Sequence, residues 1–295
     1  MTDASSSDHP LENTPFDRAL RRLRRDRAER LAAEPHPLLI RMAEEIEERL
    51  AMVSRSFERA LDLGAGPGMI GERLRAQGIE VVSADAGASF AERLSGMQCD
   101  EDRLPFPPGS FDLVVSAGTL DSVNDLPGAL VQIRRLLRPD GLVLAAFAGA
   151  GSLPLLRRVM RAADEAEGRD ASARLHPQID IRAAGDLLGR AGFALPVADG
   201  EQVSVRFPTL DRLVGDLREL GWTNVLSARS RRPVGRVGLA AAHAAFAAEA
   251  DADGRATERF QIIHLSGWAP SPDQPKPARR GSGTVSLADA LARKN

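Results

Sequence analysis

Leu61-Asp62-Leu63-Gly64-Ala65-Gly66-Pro67-Gly68 is the stretch that decides the fold. A short apolar run from Phe57 carries an acid just before its end, and three glycines follow at alternate positions. Glycines there let backbone approach a ligand and turn the chain into a helix. Residues 66–71, Gly66-Pro67-Gly68-Met69-Ile70-Gly71, also match the dinucleotide pattern G-x-G-x-x-G. The phase argues against that match. In dinucleotide domains the first glycine sits directly at the strand end, and here Gly64 holds that place.

Outward from this loop, strands are predicted at 57–63, 80–85, 111–116, 142–147, 194–206 and 260–267. Helices are predicted at 68–76, 88–95, 127–137, 153–168 and 182–191. Apolar strands alternating with helices predict a parallel sheet covered on both faces. Upstream, 16–33 and 37–54 read as helices; in the second, Leu39, Met42, Ile46, Leu50 and Val53 recur at helical steps. The division expected is a disordered leader at 1–15, N-terminal helices at 16–54, a core domain at 55–206 and 258–269, a helical insert at 207–257, and a basic Pro/Gly-rich tail at 270–295 with a short helix from Val285 to Arg293.

The 295 residues include one Cys, no Tyr and only two Lys, Lys276 and Lys294. These counts exclude an internal disulfide framework, a Cys-rich zinc site, a core Schiff-base lysine and a tyrosine acid/base. The five His show no metal spacing, so no metal is expected. The net charge of −2 conceals basic ends on an acidic body: 16–30 carries seven Arg against three acids. That segment reads as a solvated helix packed on the acidic body, ahead of a nucleic-acid or membrane-surface element. No apolar run reaches the roughly 20 residues of a membrane helix. A cytoplasmic protein without nucleic-acid partners is expected, with peripheral membrane contact left open.

Asp85 closes the second strand, 17 residues beyond Gly68. A carboxylate there accepts both ribose hydroxyls, of a nicotinamide or an S-adenosylmethionine cofactor equally. Cys99-Asp100-Glu101-Asp102-Arg103-Leu104-Pro105-Phe106, then Phe111-Asp112-Leu113-Val114-Val115, resembles class I S-adenosylmethionine-dependent methyltransferases. The resemblance implies a Rossmann-like seven-stranded, mostly parallel sheet with an antiparallel last strand. It implies that Asp62, Gly64, Gly66 and Gly68 hold the methionine part of S-adenosylmethionine, Asp85 the ribose, and Asp100 and Glu101 the adenine. Asp112 reads as a fold support. Arg138-Pro139-Asp140-Gly141-Leu142 matches the family's turn before the fifth strand. Leu187 to Phe193 matches the segment before what is expected to be an antiparallel sixth strand.

Pro15-Phe16-Asp17-Arg18, Val123-Asn124-Asp125-Leu126-Pro127, His176-Pro177 and Gly267-Trp268-Ala269-Pro270 are similar to one subfamily. It is that of the fifth assembly factor of NADH:ubiquinone oxidoreductase (complex I), with its alphaproteobacterial relatives. The resemblance implies a protein substrate, a complex I subunit, with arginine hydroxylation as the reaction of mitochondrial members. Two segments depart from the pattern: Leu120-Asp121-Ser122 stands for Leu-His-Trp, and Ala148 to Leu153 lacks an acid. Both follow strand ends on the substrate side. The readings are therefore a methyltransferase-type enzyme in complex I assembly, a protein-arginine hydroxylase on the same fold, a non-catalytic assembly chaperone, or a small-molecule methyltransferase. A base is needed only for a protonated nucleophile. Asp121 and His176 are weak candidates, His176 with a structural role weighing more.

Overall fold

The computed structural model describes residues 14–170 and 173–274. The helix Val285 to Arg293, the leader up to residue 13 and the tail from 275 lie outside the described residues.

Two helices come first, α1 (Arg18–Leu31) and α2 (Pro37–Ala51). The body follows as β1 (Arg59–Leu63), α3 (Met69–Ala76), β2 (Glu80–Asp85), α4 (Ala88–Arg93), β3 (Met97–Gln98), β4 (Phe111–Ala117), α5 (Leu126–Leu136), β5 (Leu137–Ala148), α6 (Pro154–Ala166), α7 (Ile181–Arg190) and β6 (Ala194–Phe207). Then come α8 (Leu210–Glu219), α9 (Arg236–Ala248) and β7 (Ala256–Trp268). The sheet runs β3-β2-β1-β4-β5-β7-β6. From β3 to β5 every pairing is parallel. β7 pairs antiparallel with both β5 and β6. The expected antiparallel sixth strand is thus corrected: β6 runs with the parallel strands, and the reversal belongs to β7.

The strands are apolar on both faces because both faces are covered. Leu113 and Val115 of β4, with Leu142, Leu144 and Ala146 of β5, join one cluster with α2, α6, α8 and α9. Val114, Val143, Ala145 and Phe147 point the other way, against Ala129, Leu130 and Ile133 of α5 and Leu188 of α7. The Arg138–Gly141 turn proves to be a bulge within β5: Phe111 pairs with Leu137, but Leu113 pairs with Leu142. Asp140 takes a left-handed φ of 62° there.

Asp112 has the supporting role read for it, accepting the N–H groups of Glu58 and Arg59 at 2.9 and 3.0 Å. The α6 start has no side-chain cap of its own, since Leu153 is left-handed at φ 60°. Glu258 of β7, wholly buried, accepts the N–H groups of Leu155 and Leu156 instead. A carboxylate therefore stands at the segment whose own sequence lacks one. The stretch 207–257 is helical only in α8 and α9, and 221–234 runs as a loop between them.

Candidate functional site

The glycine loop leaves β1 through three left-handed residues, Gly64, Gly66 and Gly68. A Cβ at Gly64 would lie 2.3 Å from Thr119 Oγ1, so no other residue fits that approach. Asp62 Oδ2 accepts the Gly71 N–H at 3.1 Å. Burial, with help from the Asp85 charge, pushes the Asp62 carboxyl up to about 7.

Asp85 stands at the β2 end and accepts the N–H groups of Gly66 and Gly87 at 2.9 and 2.8 Å. Asp100 and Glu101 follow β3, 4% and 0% exposed. All three carboxylates are also paired with α1. Arg25 binds Asp85 with both Nε and Nη2, the Nε contact at 3.1 Å. Arg21 Nη2 donates to Glu101 at 2.6 Å, and Arg18 Nη2 reaches Glu101 and Asp100 at 3.1 and 3.0 Å. Arg22 pairs with Asp100. Burial pushes the Asp85 and Asp100 carboxyls up, but their arginine partners outweigh it and hold both below the usual carboxylate range.

Residues 18, 21, 22 and 25 recur at i, i+3, i+4 and i+7 and so form one stripe of α1. The sequence reading packed this helix on the acidic body, as the ion pairs do, but gave its basic face to solvent. Arg21 and Arg25 are 3% and 5% exposed, far from the solvated face expected. The α1 start is fixed by the subfamily-like motifs. Asp17 caps it by accepting the Leu20 N–H at 3.0 Å. Asn124 exchanges two hydrogen bonds with the Phe16 backbone, at 2.8 and 3.1 Å. Phe16 meets the His176 ring edge-on at 5.0 Å.

Asp121 and His176 are brought together, His176 Nδ1 to Asp121 Oδ2 at 3.9 Å. His176 Nε2 accepts the Val225 N–H at 3.2 Å, which leaves the neutral ring's proton on Nδ1. Ser122, next along, accepts from Arg21 Nε and, through its carbonyl, from Arg18. Cys99 is buried beside these acids, and burial pushes its thiol up to about 12, which silences it as a nucleophile. Among the described residues no cluster of His, Cys, Asp and Glu is placed to hold a metal. No described helix is long and apolar enough to cross a membrane.

Residues 61–145 match the model of a methyltransferase domain. The mitochondrial arginine-hydroxylase NDUFAF5 of Rattus norvegicus is 35% identical, with 99% of this chain aligned to 88% of that protein. The Homo sapiens protein of the same name is 33% identical, over 93% of this chain and 82% of its own length. The chain belongs to the NDUFAF5 family of methyltransferase-fold proteins. A malonyl-[acyl-carrier protein] O-methyltransferase of Halorhodospira halophila is 32% identical over 77% of this chain and 79% of its own. The YcgJ protein of Bacillus subtilis shares the fold at a TM-score of 0.51 and 15% identity, with 77% of this chain covered and 99% of YcgJ.

For this NDUFAF5-family chain the matches support S-adenosylmethionine as cofactor. The residue types fit it: a glycine loop without side chains, a buried carboxylate at the β2 end and two after β3. In this conformation α1 closes the place. An Arg25 nitrogen lies 3.2 Å from where a Gly66 Cβ would stand, and every one of the three carboxylates already has an arginine.

Proposed function

We propose that this protein uses S-adenosylmethionine to modify a protein substrate during assembly of respiratory complex I. The observation that carries the reading is the convergence of the glycine loop, Asp85, Asp100 and Glu101 at one edge of the sheet. The glycine loop and Asp62 would take the methionine part, Asp85 the ribose, and Asp100 and Glu101 the adenine. S-adenosylmethionine supplies an electrophilic methyl carbon on a sulfonium. The residues of this chain need only bind, align and exclude water. A base beside the reacting atoms, where the nucleophile requires one, is Asp121: the lone pair of His176 Nε2 is already taken by the Val225 N–H. His176 packs edge-on against Phe16 and lies 3.9 Å from the Asp121 carboxylate. The protein substrate rests on the kinship with NDUFAF5, and the complex I setting on the motifs that fasten α1.

Arginine hydroxylation is the activity in the relatives' name and is the competing chemistry on the same site. A chaperone without catalysis is favoured by one observation, the pairing of all three carboxylates with α1. Two measurements separate these readings. Calorimetry of the full chain with S-adenosylmethionine should show binding that Asp85→Ala abolishes; no binding at millimolar ligand sinks the cofactor reading. Intact masses of complex I subunits from cells lacking the gene then report the reaction. A lost methylene mass selects methylation and a lost oxygen mass selects hydroxylation. Unchanged masses with failed assembly select the chaperone.

A further inference from the structure

The other side of α1 faces a cavity that Asp121 and His176 also line. The cavity, of about 640 Å³, lies between α1, α6, α8 and the loops at 174–178 and 222–233. Its volume falls within the range of pockets that enclose small organic ligands. Leu156, Met160, Leu217 and Trp222 give it an apolar lining. Seven arginines also line it, against a single acid, Asp121.

Two of the seven are neutralised: Arg174 by Asp164 at 3.2 Å and Arg229 by Asp17 at 3.2 Å. Arg24, Arg27, Arg218, Arg231 and Arg232 form no ion pair within 4 Å among the described residues. The Arg24 Nε is buried without a hydrogen-bond partner. Burial, then the charges of Arg218, Arg24 and Arg30, lower the Arg27 pKa from its ordinary value. The sequence has as many acids as any ordinary domain, and the stripe at 18, 21, 22 and 25 is fully matched by them. Arg231 is near enough to Asp17 to help lower its pKa, and the others have no ion pair among the described residues. Gathering such guanidinium groups around an apolar cavity raises the energy of the free protein, since each close like-charge pair repels. An anion entering the cavity removes that repulsion, and the guanidinium fork suits carboxylate and phosphate oxygens in particular.

We propose that this cavity binds a small amphiphile, an apolar body enclosed by Leu156, Met160, Leu217 and Trp222 and a carboxylate or phosphate monoester held by the unpaired arginines. The inference rests on the proposed function in one respect, since Asp121 and His176 line this cavity, but its test uses neither cofactor nor partner and so can fail while that reading stands.

The protein has two tryptophans, and Trp222 is in the cavity while Trp268 ends β7. Trp268→Phe therefore makes Trp222 fluorescence the sole reporter. The full chain is titrated with decyl phosphate, decanoate, decanol and inorganic phosphate. Both amphiphilic anions should bind at least tenfold more tightly than decanol and than inorganic phosphate, and their order tells phosphate ester from carboxylate as the natural head group. Arg218→Ala with Arg232→Ala, both exposed positions, should weaken the anions about tenfold and leave decanol unchanged. Raising ionic strength should narrow the anion preference in the unsubstituted protein, which tests the charge without any variant. Equal binding of decanol, equal binding of inorganic phosphate, or a preference indifferent to both salt and the arginines overturns the proposal.

Discussion

Arg25→Ala tests whether α1 and the cofactor compete for the same carboxylate. Arg25 and Asp85 are 5% and 1% exposed, and the pair is bidentate. Removing one partner of a buried pair typically costs about 3–5 kcal/mol, because the other charge stays buried. Asp85 keeps two donors, the N–H groups of Gly66 and Gly87, which places the expected loss near the low end, ~3 kcal/mol. At roughly 2–4 °C per kcal/mol for a chain of this size class, Tm should fall by about 6–12 °C. The same change should favour the cofactor. Its ribose must take Asp85 from Arg25, and every 1.4 kcal/mol of relief is about tenfold in Kd. Calorimetry with S-adenosylmethionine should therefore give a Kd about 10- to 100-fold lower in the variant than in the unsubstituted protein. Arg27→Ala, on the same helix but on the cavity side, should leave that Kd unchanged. A lower Tm together with an unchanged or weaker Kd would refute competition and make Arg25 a cofactor ligand or a plain fold support.

Three further outcomes are expected. Asp62 keeps its proton in the native state up to about pH 7 but loses it near pH 4 when unfolded, so its contribution to stability falls as pH rises between the two. Urea midpoints should show Asp62→Asn gaining on the unsubstituted protein, by an amount on the order of 4 kcal/mol, between pH 4 and pH 8; a constant difference contradicts the raised value. Glu258→Ala strands the N–H groups of Leu155, Leu156 and Arg259 and should cost about 2–4 kcal/mol in urea unfolding; a cost under ~0.5 kcal/mol would show that water replaces the cap. Asn124→Ala removes both hydrogen bonds to Phe16. Amide exchange in α1 should then quicken by more than tenfold, with β4 and β5 unaffected.

Those residues divide by what the sequence makes legible. The glycine loop and the acids at strand ends are local demands: a turn that only glycine makes, and a carboxylate at a fixed place beside it. The loop and Asp85 are readable from spacing, whereas Asp100 and Glu101 entered through the family resemblance. The cap at α6 is not, because Glu258 reaches it from a strand about a hundred residues onward. Nor are the α1 ion pairs, which join residues 60 to 83 positions apart. A run of arginines beside an acidic body predicts that the helix packs there without naming which carboxylates it meets. The two-residue β3 and the one-turn helix Leu120–Ser122 leave no signal because each spans a single period and shows no repeat. The loop at 221–234 was absorbed into the expected helical insert, although Gly221 is left-handed at φ 74° and Pro233 and Gly235 bracket its end.

The motifs that first marked the subfamily acquire a shared physical role once α1 is placed. Phe16 meets Asn124 through its backbone and His176 through its ring, and Asp17 caps the helix they hold. They fix the entry of α1 and, through it, the aim of two sets of arginines on different sides of the helix, roughly 140° of rotation apart. One set meets Asp85, Asp100 and Glu101; the other, Arg24 and Arg27, faces the cavity. A single helix thus touches both places where a ligand is argued to bind. Any movement that frees Asp85 must also move Arg24 and Arg27, since the α-helix transmits rotation rigidly over fourteen residues. An anion held by the cavity arginines would oppose or favour that rotation according to which position of α1 it binds more tightly. The sign is measurable: decyl phosphate that weakens S-adenosylmethionine binding stabilises the closed helix, and decyl phosphate that strengthens it stabilises the open one. By reciprocity the cofactor must change decyl phosphate affinity by the same factor. S-adenosylmethionine affinity that decyl phosphate leaves unchanged would refute the idea that one helix couples the two sites.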